Sequence, residues 1–88
     1  MAHFSIGRLV ATAGVAGDLD QTEILSLVTR HVNGDWGELC DEDKQMNEEA
    51  VRDGERILSK YTASTGDSVY VITEWDRSYT TVLYPSEY

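Results

Sequence analysis

Hydrophobic and polar residues alternate near the start of the chain and over its last third, and follow a helical period between these regions. Residues 4–13, FSIGRLVATA, alternate loosely and are rich in apolar and β-branched types, which predicts a first strand ending at Gly14 and Gly17. After Glu55 the period of two returns. Strands are therefore expected at both ends of the chain, with helices between them.

The first predicted helix follows Asp20. Asp20 and Glu23 resemble a capping box, and Asn33 with Gly34 ends the helix, because glycine accepts the left-handed conformation without steric cost. Five residues recur at helical spacing on one side: Ile24, Leu27, Val28, His31 and Val32. This side is expected to pack on the sheet.

The second predicted helix, DEDKQMNEEAVRDG at 41–54, is polar. Asp41 or Asp43 is its expected N-cap, and Gly54 is its expected stop. The residues able to face inward are Met46, Asn47, Ala50 and Val51. With so narrow an apolar stripe, the helix is expected to lie on the surface with its acidic side chains outward.

Three further strands are predicted at 56–63, 68–75 and 79–85, joined by turns at 64–67 and 76–79. The element order is β-α-α-β-β-β. It predicts an α+β fold: a mostly antiparallel sheet, made of the N-terminal strand and a C-terminal three-stranded meander, with two helices on one face. At 88 residues the chain has room for one small domain, residues 1–88.

The turns also predict which side chains share a face of the sheet, if a two-residue turn lies near Gly66. One face is expected to hold Leu58, Lys60, Thr62, Val69, Val71, Thr73, Trp75, Thr80, Val82 and Tyr84. The other is expected to hold Ile57, Ser59, Tyr61, Ala63, Tyr70, Ile72, Glu74, Thr81 and Leu83. The second face suits the helices, which leaves the first open to water, to the N-terminal segment or to a partner. Strand propensity alone would account for its threonines and valines.

An uncovered face with mixed aromatic and small polar residues predicts an interaction surface. The candidate contact residues are Val71, Thr73, Trp75, Arg77, Val82 and Tyr84. Burying such a patch against a second protein removes apolar area from water. A symmetric homodimer is the default expectation, since a self-complementary patch needs no other gene product.

Charge and cysteine content narrow the classes of function. The net charge is −9, and the segment from Asp35 to Glu55 holds nine acids against two bases. This concentration repels phosphates, so direct nucleic-acid binding is not expected, whereas a basic protein surface would be attracted. A solvated helix face would carry the same charges. The single Cys40 and the lack of a long apolar run indicate a cytoplasmic protein that does not bind membranes.

The chain lacks the spacing patterns of common catalytic and metal sites. His3, His31 and Cys40 are the candidate metal ligands, but CxxC, HExxH and calcium-loop patterns are absent, as is a glycine-rich phosphate loop. We therefore expect no catalytic, metal or cofactor site. His31, near the end of its helix and close in sequence to Asp35, leaves a small enzyme as an alternative.

Three motifs resemble a family of short, uncharacterised bacterial, plasmid and phage proteins: RHVNGDWG at 30–37, GERILSKY at 54–61 and VITEWDRSYTTVLYPSEY at 71–88. Such proteins are sometimes labelled plasmid-related or, misleadingly, as a type I restriction enzyme modification subunit (subunit M). A chain of 88 residues without a cofactor-binding glycine motif is too small for a methyltransferase domain. The resemblance covers most of the chain from Thr29 onward and implies a mobile-element setting, but no catalytic residues.

The resemblance draws attention to a set of polar residues with a structural or functional role: Arg30, His31, Asp35, Trp36, Arg56 and Asp76. We expect an ion-pair and hydrogen-bond network that ties the helical corner to the sheet through Asp35, Arg56, Asp76 and Arg77.

These patterns favour a non-enzymatic protein-interaction module. It would be a small regulator or adaptor associated with mobile elements, binding an unidentified protein through the sheet face or the acidic helix. The alternative is an acidic inhibitor of host defence, of the anti-restriction or anti-CRISPR kind, that competes for a nucleic-acid-binding groove.

Overall fold

The computed structural model describes residues 3–88, and its elements follow the predicted order with one short helix added. In chain order they are β1 (Arg8–Ala11), α1 (Ala13–Asp18), α2 (Gln21–Val32), α3 (Asp41–Asp53), β2 (Ile57–Thr62), β3 (Ser68–Thr73), β4 (Tyr79–Leu83) and a 3₁₀ turn (Pro85–Glu87). The strands and the two longer helices confirm the predicted α+β order. Helix α1 has only six residues and one buried side chain, Val15, so it leaves no periodic signal in the sequence.

Helix α2 begins and ends where the sequence predicts. The Asp20 carboxylate accepts a hydrogen bond from the Glu23 N–H at 2.8 Å, and the predicted inward residues Ile24, Leu27 and His31 are buried. The Glu23 carboxylate does not close a capping box. It accepts hydrogen bonds from the backbone N–H and the hydroxyl of Ser64, at 2.7 and 2.6 Å, and so joins α2 to the loop between β2 and β3.

Helix α3 differs from the prediction in its start and in one inward residue. Its N-cap is Cys40, which makes no side-chain capping bond, so neither Asp41 nor Asp43 is the cap. Met46 is 61% exposed rather than inward, because the side of α3 that packs on the protein is centred on the buried Asn47 and Ala50. At 13 residues α3 is the longest helix described, and no helix within residues 3–88 has the length and apolar character of a membrane span.

The four strands form one sheet in the order β1-β4-β3-β2. Strands β2 and β3, and β3 and β4, pair antiparallel, which confirms the mostly antiparallel sheet and the three-stranded meander. Strand β1 pairs with β4 in parallel, so the sheet is mixed. β1 thus completes the sheet beside the last strand of the meander, and β2 lies at the opposite edge.

The predicted pairing of β2 with β3 is wrong by one residue. The loop between them has three residues, from Ser64 to Gly66, with Gly66 at φ 90°, and the Ala63 N–H donates to the Asp67 carbonyl. Ser59 therefore stands opposite Val71, and every β2 side chain is on the face opposite to the one assigned from a two-residue turn. In the second hairpin Thr73 pairs with Thr80, two residues from the predicted register, which leaves its faces unchanged.

The helices cover the face that the sequence analysis expected to be open. The fully buried sheet residues on this covered face are Ile57, Ser59, Tyr61, Val69, Val71, Thr73, Thr80 and Val82, all at most 1% exposed, and Leu9 and Ala11 of β1 are partly buried beside them. Val15 and Leu19 from the α1 region, with Ile24, Leu27 and Val28 of α2, complete the main core. Val71, Thr73 and Val82 are consequently core residues, and their assignment to a contact surface is wrong.

Candidate interaction surface

The covered face contains a continuous chain of buried polar side chains centred on His31. Its Nδ1 lies 2.6 Å from the Ser59 hydroxyl, and its Nε2 lies 2.9 Å from the Thr73 hydroxyl. Thr73 in turn contacts the Thr80 hydroxyl at 2.7 Å, and Thr80 donates to the Ile6 carbonyl at 2.8 Å. α2 therefore joins three strands and the N-terminal segment through side chains that have no access to water.

The hydrogen bonds from His31 to Thr73, Thr80 and Ile6 determine which ring nitrogen of His31 carries a proton. Because Thr80 gives its proton to a carbonyl, it can only accept from Thr73, and Thr73 can then only accept from His31. The imidazole therefore carries a proton on Nε2, and because its pKa is lowered, it is neutral near pH 7 and Nδ1 accepts from Ser59. Burial, with the positive charge of Arg77 as a second cause, lowers the pKa of His31 to about 4.

His31 and Asp35 are not brought together. The Asp35 carboxylate pairs with the Arg30 Nε at 2.6 Å and accepts from the Gly37 N–H at 3.1 Å. The hydrogen bond from Arg30 lowers the pKa of Asp35. Arg30 also stacks 4.5 Å over the Tyr61 ring, whose hydroxyl donates to the Asp35 carbonyl. This group binds the end of α2 to β2.

Trp36 is 3% exposed and belongs to a small second core with Ala50 and Ile57. Its indole N–H donates to the Glu48 carboxylate at 2.7 Å, and its ring lies edge-on to His31 with centroids 6.0 Å apart. Its carbonyl accepts from the Lys60 N–H, so the segment after α2 pairs with the outer edge of β2. Trp36 and Gly37 thus cover an edge of β2 that would otherwise be open.

Arg77 is a structural tie rather than a contact residue for a partner. Its φ is 61°, in the left-handed region, and its guanidinium donates to four backbone carbonyls, those of Ala50, Glu55, Glu74 and Trp75, at 2.6–3.1 Å. Two of these carbonyls belong to the end of α3 and the residues after it. One side chain therefore joins the end of α3 to the turn between β3 and β4.

The predicted four-residue network of Asp35, Arg56, Asp76 and Arg77 does not form. Asp76 accepts from the Ser78 N–H within its own turn, and Arg56 contacts the Tyr88 hydroxyl and stacks 5.2 Å from that ring. Among the described residues, the ion pairs are Arg30–Asp35 and Arg52–Asp53. Each predicted member therefore stabilises a separate junction.

Replacing Arg77 with glycine is expected to lower the free energy of unfolding by about 2–3 kcal/mol, because hydrogen bonds to a charged donor are lost at four carbonyls. Glycine accepts the positive φ without strain, so the loss reports the arginine side chain, including its cation–π contact with Phe4. Urea unfolding measures it. Arg52→Ala, which breaks only an exposed pair with Asp53, is the control and should change stability by less than about 0.5 kcal/mol. Equal effects of the two changes would contradict the assignment.

The other face of the sheet is not covered by α1 or α2, and we call it the open face; the C-terminal 3₁₀ turn contacts β3. Its strand residues are Arg8 and Val10; Leu58, Lys60 and Thr62; Ser68, Tyr70 and Ile72; and Tyr79, Thr81 and Leu83. Ile72 and Leu83 are shielded by their neighbours, at 4% and 7% exposed, whereas Tyr79 is 43% and Val10 is 38% exposed. The four strands contain Arg8 and Lys60 but no acidic residue. The open face is therefore aromatic and basic on an acidic protein.

Two further exposed aromatic residues lie outside the strands. Trp75, in the turn between β3 and β4, is 66% exposed, so it remains a candidate contact residue. Tyr88 is 63% exposed and meets the Tyr70 ring edge-on, with centroids 6.0 Å apart. Tyr84 points the other way. Its hydroxyl donates to Asp18 at 2.6 Å, which raises the pKa of Tyr84 to about 12, and its ring packs against the main core.

Sequence reasoning missed the open face because it placed Tyr70 and Ile72 under the helices. The tyrosines carried a usable signal: Tyr70 and Tyr79 alternate with apolar residues, but on the face opposite to Val71 and Val82. Within residues 3–88, no three His, Cys, Asp or Glu side chains converge as metal ligands. No protein-family model, curated protein or solved structure matches this chain.

Proposed function

We propose that this protein is a non-enzymatic interaction module that binds another protein chain through the open face. The observation that carries the proposal is a four-stranded sheet that α1 and α2 cover on one face, while its other face bears Val10, Tyr70 and Tyr79. Tyrosines are enriched in protein interfaces, since each brings apolar area and a hydrogen-bonding group at low entropic cost.

The proposal takes the protein to be a regulator or adaptor that acts by contact. We propose no catalytic role for His31, because both ring nitrogens are bonded to hydroxyls and the side chain is fully buried. The association with mobile elements is supported by the sequence resemblance alone. A cytoplasmic location is favoured by the single cysteine, Cys40, which is exposed and free.

A second copy of the chain is the first partner to test. A stable interface needs roughly 800 Å² from each side. A two-fold dimer through the open face would place the same exposed tyrosine, Tyr79, on both sides of the interface.

Tyr79→Glu is expected to abolish this association while leaving the fold intact, because the side chain is 43% exposed and a carboxylate would be buried at the interface. Sedimentation velocity of the purified protein should show a dimer for the wild type and a monomer for the variant. Leu25→Glu, at a residue 47% exposed on α2, is the matched control and should remain dimeric.

A monomeric wild type would exclude the homodimer and leave a different protein as the occupant. In that case a lysate protein should be retained by the wild type and by Leu25→Glu, but not by Tyr79→Glu. A monomer with no capture that depends on Tyr79 would contradict the interaction module itself.

The second candidate function is an inhibitor that competes with nucleic acid for a basic groove, as an anti-restriction or anti-CRISPR protein would. It is favoured by α3, whose six acids are distributed over 13 residues, or about 20 Å of helix, all of them exposed. Mutations distinguish this candidate from the main proposal. Neutralising the acids of α3 would abolish the inhibition, whereas Tyr79→Glu would leave it intact.

A further inference from the structure

A groove of about 260 Å³ lies between α3 and β2, separate from the exposed tyrosines of the open face. Its apolar wall is formed by Leu39 before α3, Met46 and Ala50 on α3, and Leu58 on β2. Asn47 forms the floor, because its side-chain amide donates to the Leu58 carbonyl at 2.7 Å and accepts from the Leu58 N–H at 3.2 Å. These two bonds hold α3 and β2 at a fixed separation, so the groove is preformed.

The size of the groove suits one anchoring side chain. Pockets for small-molecule ligands usually measure roughly 300–1,000 Å³, so this groove is just below that range. It fits a single large apolar residue of a larger partner. Met46, which is 61% exposed, is a flexible and polarisable wall of the kind that adapts to different apolar side chains.

The charge around the groove is negative. Asp43 and Glu55 stand at its rim, and neither forms an ion pair within residues 3–88. The segment from Asp35 to Glu55 carries nine acids and two bases, whereas the four strands of the sheet carry no acid. The one base on the groove wall, Arg56, is held against Tyr88 by a hydrogen bond and by stacking on its ring.

We propose that this groove docks a basic segment of a partner protein, with one large apolar side chain of that segment seated between Met46 and Leu58. Lysine or arginine residues on either side of the anchor would lie against Asp43 and Glu55, and against the acids of α3 beyond them. Charge complementarity selects the segment, and the preformed apolar wall places its anchor. The groove adjoins the open face at Leu58, on the edge strand β2, and lies two strands away from Tyr79 on β4.

The probe is a synthetic peptide of about 12 residues, lysine and serine with one central phenylalanine, titrated into the full-length protein by calorimetry at low ionic strength. We expect saturable 1:1 binding that weakens as salt is added. The same peptide with serine in place of phenylalanine should bind at least about tenfold more weakly, since it lacks the anchor.

Two protein variants separate the groove from general charge. Met46→Ser removes the exposed wall and should weaken binding by about tenfold, as should the double change Asp43→Asn with Glu55→Gln. The charge-matched control, Glu42→Gln with Glu49→Gln, removes two acids of α3 that do not line the groove and should cost less than about threefold. Tyr79→Glu, on the open face, should leave peptide binding unchanged.

Circular dichroism checks that each variant is folded. Because Met46 is exposed, its substitution is expected to leave the fold intact. The proposal would be overturned by no saturable binding of the phenylalanine peptide, by equal binding of the two peptides, or by equal losses in the groove variant and its charge-matched control. Tighter binding of an acidic peptide with the same anchor would assign the groove to Arg56 instead, and would also overturn it.

Discussion

Gly37→Ala is expected to abolish cooperative folding or to lower the melting temperature by at least about 15 °C, a loss of about 4 kcal/mol or more. Gly37 has φ 77°, and a methyl group there would stand within 3.0 Å of the Lys60 carbonyl oxygen, closer than Cβ atoms come to other atoms. The Lys60 carbonyl cannot move away freely, because it accepts the Glu38 N–H at 2.7 Å. The substitution therefore breaks the pairing of the Trp36 segment with β2.

Gly54→Ala is the matched control for this prediction. Gly54 has nearly the same φ, 74°, but a methyl group there meets nothing within 4 Å. The expected cost is therefore only backbone strain at the end of α3, about 1 kcal/mol, or roughly 4–8 °C in melting temperature. Thermal unfolding followed by circular dichroism compares the two. Similar melting temperatures would mean that the edge of β2 tolerates displacement and that the predicted clash is relieved locally.

Acidification from pH 7 to pH 5 is expected to lower the free energy of unfolding by about 2 kcal/mol through His31 alone. The unfolded chain binds a proton at the ordinary pKa of 6.5, whereas burial lowers the folded pKa of His31 to about 4. Below pH 6.5 the unfolded state therefore binds more protons than the folded state. The stabilisation is complete above pH 6.5, is lost as the pH falls toward 4, and changes no further below it.

Urea unfolding at pH 7 and pH 5, with NMR titration of the histidine ring protons, measures this prediction. His31→Gln should remove most of the pH dependence between 7 and 5, at a cost in stability at pH 7 because the chain from Ser59 to Thr80 is interrupted. His3→Gln, which removes an exposed histidine bonded to Asn33, should keep the full dependence. A His31 ring that titrates near 6.5 in the folded protein would contradict the buried neutral imidazole.

The face that the helices cover was predicted wrongly because one loop has an odd number of residues. Nothing in Ser64, Thr65 and Gly66 distinguishes a two-residue from a three-residue turn without the strands that flank it, since glycine is favoured in both. One residue of difference reverses every β2 side chain. Helices α1 and α2 pack on the face with Val69, Val71 and Val82.

The polar residues singled out in the sequence each form a contact in the fold, but they do not form one common network. Arg30 and Asp35 are close in the chain, and their pairing could be anticipated from that spacing. The partners of His31 could not, because Ser59 and Thr73 lie 28 and 42 residues away and become neighbours only when β2 and β3 pair. Nothing in the sequence distinguishes Glu48, whose carboxylate accepts the hydrogen bond from the Trp36 indole, from the other acids of α3.

The sequence by itself determined what depends on neighbours in the chain: helix α2 from its apolar spacing and Asp20 cap, the end of α3 at Gly54, the three-stranded meander and the concentration of acids on one helix. Propensity, capping and periodicity act over a few residues, so they can be read locally. Only the tertiary structure decided the parallel pairing of β1 with β4, the face that the helices cover, the buried chain through His31 and the groove beside Met46. Each of these depends on contacts between distant residues, and their energies are defined only once the sheet register is set.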